Sequence, residues 1–390
     1  MPSLLTASPL PQDGTAGALV GRVWRPEVNG PAVVAIRDEG VVDITRSFPT
    51  VRDLCESADP AGSLRGAQGE RIGGLDEVLA NTPADARDPA KPWLLAPIDL
   101  QAVKAAGVTF AVSMLERVIE ERARGNADAA AAIRAEVTRL VGDDLGKLKP
   151  GSEQAMALKE VLIQQGAWSQ YLEVGIGPDA EIFTKAPPMA AVGTGMDAGL
   201  HPKSSWNNPE PEVVLAVAST GRIVGAMLGN DVNLRDVEGR SALLLGKAKD
   251  NNASCALGPF LRLFDETFSL DDVRQTTVTL TVEGEDGFTL NGSSSIAKIS
   301  RDPADLVEQM IGPHHQYPDG AVLFLGTMFA PVKDRGAPGK GFTHKIGDIV
   351  TVAAPQLGRL VNRMRHSDQC EPWTFGTGAL MRNLAQRGLL

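Results

Sequence analysis

The sequence Pro209-Glu210-Pro211-Glu212 leads directly into the apolar run Val213 to Ala218, and a turn and a second apolar run then lead to Leu228-Gly229-Asn230-Asp231-Val232. If residues 210–219 and 222–232 form a β-hairpin around the two-residue loop Thr220-Gly221, Asp231 lies opposite Glu210. Glu212 shares their face, because side chains alternate along a strand. Three carboxylates this close repel one another unless a cation or protons neutralise them. The pattern therefore predicts a metal ion site.

Length and composition favour a small-molecule enzyme. The 390 residues, 43% of them hydrophobic, are enough for two cores. The net charge of -10 and the lack of a Lys/Arg run argue against a nucleic-acid partner. Cys55, Cys255 and Cys370 show no CxxC spacing, which indicates reduced thiols. Without a signal peptide or an apolar run of ~20 residues, we expect a cytoplasmic protein with no membrane partner.

Changes in composition and hydrophobic pattern along the chain predict a small β-rich domain followed by a larger one. Residues 17–48 alternate apolar and polar between Gly and Pro turns, which is typical of short antiparallel strands. A Pro-, Asp- and Ala-rich linker covers residues 82–97. We therefore predict an N-terminal domain over residues 1–100 and a second domain over residues 101–390.

Helices interrupt the second domain near its start. Residues 113–141 and 153–170 predict a helical hairpin, an insertion over residues 113–170 that is either structural, an oligomer interface or a lid. Strands resume after residue 181 without the spacing of parallel βαβ units, and Gly193-Thr194-Gly195 lacks the strand-to-helix context of a dinucleotide fold. The predicted fold class is α+β, mostly β.

An ordered set of short motifs resembles the fumarylacetoacetate hydrolase family. Its strongest parts are Pro209-Glu210-Pro211-Glu212, Gly229-Asn230-Asp231-Val232, Lys249-Asp250 with Gly258-Pro259, Leu325-Gly326-Thr327, Lys345 to Val350, and Leu357 to Asn362. With a weaker match at residues 109–113, the set spans roughly residues 107–362. The resemblance implies a mixed β-roll catalytic domain that pairs protomers, as a homodimer or a homotetramer.

The resemblance also implies that Glu210, Glu212 and Asp231 are divalent-metal ligands. All-oxygen ligation favours Mg²⁺, with Mn²⁺ or Ca²⁺ as alternatives, and leaves positions for a chelating 2-oxo acid. A metal bound in this way stabilises the enolate that forms when a C3 proton leaves.

One motif departs from the pattern of the family's hydrolases. Their N-Y-x-x-H histidine, which activates the attacking water, corresponds here to Ser113 in the stretch Thr109 to Ser113. None of the five histidines is an obvious replacement, so hydrolytic C–C cleavage lacks its expected general base. A C–C hydrolase of 2,4-diketo acids that uses metal-bound hydroxide stays open, as does an inert binding protein that keeps the fold.

A branch without that histidine is a better match. The stretch Glu181 to Ala186 resembles a segment of the 2-keto-3-deoxy-pentonate (2-dehydro-3-deoxy-D-arabinonate or xylonate) dehydratases, although Ala180 replaces a proline. This branch forms 2-oxoglutarate semialdehyde in non-phosphorylative pentose (xylose or arabinose) catabolism. The resemblance places Glu181, Lys249 and Thr327 at catalytic positions. Either Glu181 or Lys249 moves the C3 proton, and Thr327 holds the substrate carboxylate.

Overall fold

The computed structural model describes residues 4, 7–124, 126, 148–164, 166, 168–328, 331, 333–336 and 341–390, without the side chains of residues 111–113 and 115. Its strands are β1 Leu19–Arg25, β2 Gly30–Arg37, β3 Gly40–Asp43, β4 Glu70–Gly73, β5 Trp93–Leu95, β6 Ala102–Gly107, β7 Glu181–Ala186, β8 Asp197–Leu200, β9 Asn207–Asn208, β10 Pro211–Val217, β11 Ile223–Asp231, β12 Asn233–Leu234, β13 Cys255–Leu263, β14 Thr277–Glu283, β15 Thr289–Ser295, β16 Ala321–Phe324, β17 Ile349–Ala354 and β18 Gly358–His366. Its α-helices are α1 Val51–Glu56, α2 Pro60–Gly66, α3 Leu75–Ala80, α4 Ala111–Arg122, α5 Glu153–Gln164, α6 Gln170–Ile176, α7 Arg235–Glu238, α8 Leu245–Lys249, α9 Leu270–Gln275, α10 Pro303–Met310 and α11 Thr377–Gln386.

Two large sheets organise these strands. The first has the order β4-β3-β2-β1-β13-β11-β10-β16-β6-β7, with β5 paired to β1, and the second has the order β15-β14-β17-β18-β8. Most pairs are antiparallel, whereas β16 with β6 and β18 with β8 are parallel. The predicted class, α+β and mostly β, is confirmed.

The central hairpin β10–β11 is buried on both faces. Val213 and Leu215 pack toward the second sheet, in a core that includes Leu280 of β14. Val214 on the alternate face packs in a different core with Leu54 of α1. The long apolar run in this hairpin follows from burial on both sides.

The hairpin has the predicted register but a different turn. Pro211 pairs with Asn230 and Ala216 with Gly225, which keeps Glu210 opposite Asp231. A β-bulge follows Ala216, and the amide of Ala218 donates to the carbonyl of Arg222. The loop therefore has three residues, 219–221, and the predicted two-residue loop is wrong. Gly221 closes it with a φ of 84°, a left-handed conformation that favours glycine.

The N-terminal strands extend the first sheet. β1, β2 and β3 are antiparallel, as predicted for residues 17–48. β1 also pairs with β13 from the second half of the chain, so one sheet runs through both parts. The division into residues 1–100 and 101–390 stays a prediction.

The helical insertion is described only in part. Residues 125 and 127–147, which carry much of the first predicted helix, lie outside the described residues. The second predicted helix, residues 153–170, ends at Gln164, and α6 begins after Ser169, whose side chain accepts from the Tyr171 amide. α4 and α6 pack together through apolar side chains such as Val118 and Leu172.

Strand β13 was missed in the sequence. Its run Cys255 to Leu263 contains Gly258-Pro259, and a proline argues against a central strand because it cannot donate to the ladder. The structure accommodates Pro259 where the register between β11 and β13 shifts. The three cysteines are free thiols, as predicted. Among the described residues, we find no helix with the length and apolarity that a bilayer crossing needs.

Candidate metal and active site

The three predicted carboxylates form one buried cluster. Glu210 precedes β10, Glu212 lies in β10 and Asp231 ends β11, and the amide of Asp231 donates to the Glu210 carbonyl at 3.0 Å. One oxygen from each carboxylate lies within 4.8 Å of the others. Their exposed fractions are 2%, 1% and 1%. The geometry predicted from strand alternation is therefore present.

Three cations surround this cluster. The Lys249 ammonium lies 2.5 Å from Glu210 and 2.9 Å from Asp231, and Lys185 lies 2.8 Å from the other Asp231 oxygen. The Arg117 guanidinium donates to Glu210. Glu210 and Asp231 thus have counter-charges from the protein itself.

Glu212 is in a different electrostatic position. Its Oε2 accepts a hydrogen bond from the Gly326 amide at 2.8 Å. Burial, followed by the charges of Asp231 and Glu210, raises the pKa of Glu212 well above its usual value. Burial also opposes ionisation of Asp231, but Lys185 and Lys249 outweigh it and lower the pKa of Asp231. A divalent cation would supply the positive charge that Glu212 lacks, so the donor set fits a hard, oxygen-binding ion.

Lys249 ends the short helix α8 and is fully buried. Burial by itself lowers the pKa of an ammonium group, but the charges of Asp231, Glu210 and Glu238 outweigh it and raise the pKa of Lys249. This environment favours the charged form. Of the two roles left open from sequence, it favours charge stabilisation over proton abstraction.

Glu181 begins strand β7 opposite Gly107 of β6. A Cβ atom at position 107 would lie 1.9 Å from the Glu181 carboxylate, so glycine provides the space that this side chain occupies. Burial, then the charge of Glu238, raises the pKa of Glu181 to about 7. A carboxyl group with this pKa can both accept and donate a proton near neutral pH.

We expect Glu181→Gln to stabilise the metal-free protein much more at pH 8 than at pH 5. The pKa of Glu181 is raised from 4.5 to about 7 on folding, so the unfolded chain ionises first as pH rises. Folding stability is then lost between these two values, by about 3 kcal/mol above pH 7. Urea unfolding in EDTA at both pH values measures the effect. The exposed Glu283→Gln is the control, and an equal difference from wild type at the two pH values would contradict the shift.

Thr327 follows strand β16 and is buried, with 5% of its surface exposed. The preceding Gly326 has a φ of 99°, and a Cβ atom there would lie 1.9 Å from the Thr109 hydroxyl. That hydroxyl donates to the Leu325 carbonyl at 2.5 Å. The turn at 325–327 therefore fixes both the amide that binds Glu212 and the position of Thr327.

Gly326→Ala is expected to lower the free energy of unfolding by roughly 3 kcal/mol, because backbone strain and overpacking add. Gly287→Ala provides the matched control, since Gly287 has a φ of 77° but no heavy atom within 4 Å of its added Cβ. That variant should lose roughly 1 kcal/mol. Equal losses in the two variants, measured by urea unfolding, would show that the contact with Thr109 carries no cost.

Two charged residues of the site, Arg117 and Lys185, had no predicted role. Arg117 from α4 bonds Glu120 at 2.7 Å and Glu238 at 2.8 Å besides Glu210. Lys185 lies at a β-bulge of β7, where it has no partner on β6. A β-bulge changes the direction in which a side chain points. The only sequence signal for Lys185 was its place within the strand motif Glu181 to Ala186.

Ser113 stands where the family's hydrolases have their histidine, but its side chain lies outside the described residues and cannot be located relative to the carboxylates.

His344 is buried and its Nδ1 lies 3.0 Å from Asp348, so it forms part of a structural ion-pair cluster with Arg335. A cleft of about 690 Å³, lined by Trp24, Trp93 and Trp373, shares no residue with the carboxylate cluster.

The fold and the site together define a class of protein: a mixed-sheet domain with a buried cluster of three carboxylates, able to hold a cation, at the end of its central hairpin. Residues 211–365 match the sequence model of the fumarylacetoacetate (FAA) hydrolase C-terminal family. Over this region the chain is therefore similar to the fumarylacetoacetate hydrolase family.

Two curated proteins are similar to this chain over about half of its length. The chain is 31% identical over 188 residues to a 2-dehydro-3-deoxy-D-arabinonate dehydratase of Saccharolobus solfataricus, covering 47% of this chain and 58% of the relative. It is 29% identical over 192 residues to a probable 2-keto-3-deoxyxylonate dehydratase of Haloferax volcanii, covering 49% of this chain and 62% of the relative. The match thus spans about three fifths of each relative's length.

Solved structures show the same fold. A 2-keto-3-deoxy-D-arabinonate dehydratase in its apo form is similar with a TM-score of 0.62 at 21% identity, over 89% of this chain and 99% of that chain. The complex of that dehydratase with magnesium and 2,5-dioxopentanoate has a TM-score of 0.60 at 21% identity, with the same coverage of both chains. A 5-carboxymethyl-2-hydroxymuconate delta-isomerase from Mycobacterium smegmatis has a TM-score of 0.51 at 18% identity, over 89% of this chain and 98% of that chain.

Proposed function

We propose that this protein is a Mg²⁺-dependent hydro-lyase that converts a 2-keto-3-deoxy-pentonate to 2,5-dioxopentanoate, the semialdehyde of 2-oxoglutarate. The observation that carries the proposal is Glu181, a half-buried carboxyl group with a pKa of about 7 and with Lys249 among the charges that act on it. Phe183, two residues along β7, lies with its ring 5.7 Å from the Lys249 ammonium. The names of the two curated relatives support the same reaction.

Glu210, Glu212 and Asp231 would hold the Mg²⁺ ion, and their buried oxygens are the ligands that this ion prefers. When bound, the ion polarises the carboxylate and ketone oxygens of a 2-oxo acid. The magnesium complex of the structurally similar dehydratase supports this choice of ion.

The side chains of the protein then handle the protons. Ionised Glu181 removes a proton from C3, and the Lys249 ammonium stabilises the negative charge that develops on the C2 oxygen. Protonated Glu181 returns the proton to the C4 hydroxyl, which leaves as water and creates a C3–C4 double bond. Proton transfers from C5 to C3 and from the C5 hydroxyl to C4 give the aldehyde. Thr327 holds the substrate carboxylate through its hydroxyl group.

The biological setting follows from the same proposal. The substrate is a small 2-oxo sugar acid of non-phosphorylative pentose catabolism. Cytoplasmic location and assembly as a homodimer or homotetramer stay predictions from the sequence.

The test offers the purified protein two kinds of substrate in parallel. Protein stripped with EDTA and reloaded with Mg²⁺ receives 2-keto-3-deoxy-pentonates in one assay and an acylpyruvate in the other. We expect 2,5-dioxopentanoate from the first, dependent on Mg²⁺, and no pyruvate from the second. Pyruvate without semialdehyde would favour a C–C hydrolase, and turnover of neither substrate would favour a binding protein.

A further inference from the structure

Two asparagines prolong the face that carries the carboxylates. β9 and β12 form a two-residue ribbon in which Asn208 pairs with Asn233, in the same register that sets Glu210 opposite Asp231. Side chains alternate along a strand, so residues 208, 210 and 212 share one face with residues 231 and 233. The two asparagines therefore lie on the metal-ligand side of the ribbon.

Core packing supports this orientation. Val232 and Leu234, the neighbours of Asn233 in the chain, both pack in the core between the two sheets. Val214, which shares the strand face of Glu212, packs in the core on the opposite side. Asn233 thus points away from the intersheet core and toward the carboxylate side.

Both asparagines carry buried polar atoms that have no partner among the described residues. Asn233 is fully buried, and neither its amide nitrogen nor its oxygen is hydrogen-bonded. Asn208 is 1% exposed, and its Oδ1 is unpaired, whereas its Nδ2 donates to the Pro209 carbonyl at 2.9 Å. A buried polar group without a partner costs about 1–3 kcal/mol, so such groups usually face a ligand or ordered water.

Apolar packing closes one end of the face that carries the carboxylates, and the two asparagines lie at the other end. A Cβ atom at Gly229, opposite Glu212, would lie 2.3 Å from the Phe324 ring and 2.6 Å from Val214, so apolar packing fills the face on that side. In the other direction, the asparagine pair lies two residues beyond Glu210 and Asp231, about 7 Å along the strands. A molecule held at the carboxylates by one end therefore extends toward Asn208 and Asn233.

We propose that Asn208 and Asn233 bind the terminal hydroxyl group of the substrate and so select hydroxylated 2-oxo acids over plain ones. A carboxamide offers both a donor and an acceptor, which matches a hydroxyl group that is also both. This inference rests on the proposed function, since it takes the carboxylate end of the 2-oxo acid to lie at the metal ligands. It assigns the C5 hydroxyl of a 2-keto-3-deoxy-pentonate to the asparagine pair.

Binding of two unreactive ligands tests the inference. 2-Oxopentanoate and 5-hydroxy-2-oxopentanoate both lack the C4 hydroxyl that leaves, and they differ only at C5. With Mg²⁺ present, we expect wild type to bind the hydroxylated acid about five- to tenfold more tightly by titration calorimetry, the effect of one hydrogen bond. Asn233→Leu, similar in size but apolar, should bind both acids equally. The exposed Asn291→Leu is the control and should keep the preference.

Other outcomes overturn the proposal. If wild type binds the two acids equally, or if Asn233→Leu loses affinity for both to the same extent, the amides hold ordered water or serve folding only. Asn208→Leu repeats the test should Asn233→Leu fail to fold. Dehydration of the pentonate by wild type is measured alongside, so that a failed preference with intact turnover removes this inference but leaves the proposed function.

Discussion

Glu212→Gln is expected to abolish stabilisation by Mg²⁺ and to lower kcat/KM for the pentonate by about 10³-fold, since metal polarisation of the substrate is worth several kcal/mol. Glu212 is well suited to this test because neither a lysine nor an arginine among the described residues forms an ion pair with it. Its pKa is already raised well above the usual range by burial and by Asp231 and Glu210. A neutral amide therefore resembles the metal-free state of this side chain.

The measurement separates metal binding from folding. Thermal unfolding in EDTA at neutral pH should give Glu212→Gln a Tm at least as high as that of wild type, because the amide needs no proton to be buried and its oxygen can still accept from the Gly326 amide. Added Mg²⁺ should raise the Tm of wild type and of the exposed control Glu283→Gln, but not that of Glu212→Gln. An undiminished Mg²⁺ effect in Glu212→Gln would refute the metal assignment.

Glu181→Gln is expected to lower kcat by about 10²–10⁴-fold, the usual contribution of a general acid–base group. The amide keeps the size of the side chain beside Gly107 but cannot take a proton. In wild type, kcat/KM should rise with pH through a pKa of about 7, because the ionised form is the base. The residual activity of Glu181→Gln should not show this rise of kcat/KM with pH.

Exchange of C3 protons with D₂O distinguishes Glu181 from Lys249. 2-Oxopentanoate has no C4 hydroxyl to lose, so NMR reports proton abstraction alone. We expect no exchange in Glu181→Gln, and slower exchange in Lys249→Met, where the base stays but charge stabilisation is lost. Wild-type exchange in Glu181→Gln together with none in Lys249→Met would reverse the two roles.

Part of the site was accessible from sequence because it depends on local geometry. The apolar pattern of the hairpin and the approximate position of its turn are enough to predict that Glu210 lies opposite Asp231 and that their side chains share a strand face. The wrong turn did not change which residues lie opposite each other near the carboxylates, because the bulge after Ala216 compensates for the longer loop.

The electrostatic partners of the carboxylates were not accessible in the same way. Arg117 comes from α4 and Lys185 from a bulge in β7, far from the hairpin in sequence. The packing of the whole sheet decides which distant element contacts the end of a strand. The hydrophobic periodicity of one segment carries no information about this contact. Strand β13 was hidden for a related reason, since Pro259 fits a central strand only at a register shift with its neighbour.

The sequence by itself determined that three carboxylates share one strand face and that this face calls for a cation, because side-chain alternation is a property of the strand alone. Only the tertiary structure decided which carboxyl groups are charged. Burial beside Glu238 raises the pKa of Glu181, whereas Lys185 and Lys249 lower that of Asp231. Burial and neighbouring charge arise when distant segments pack together, so the pKa values of these carboxyl groups depend on the tertiary structure.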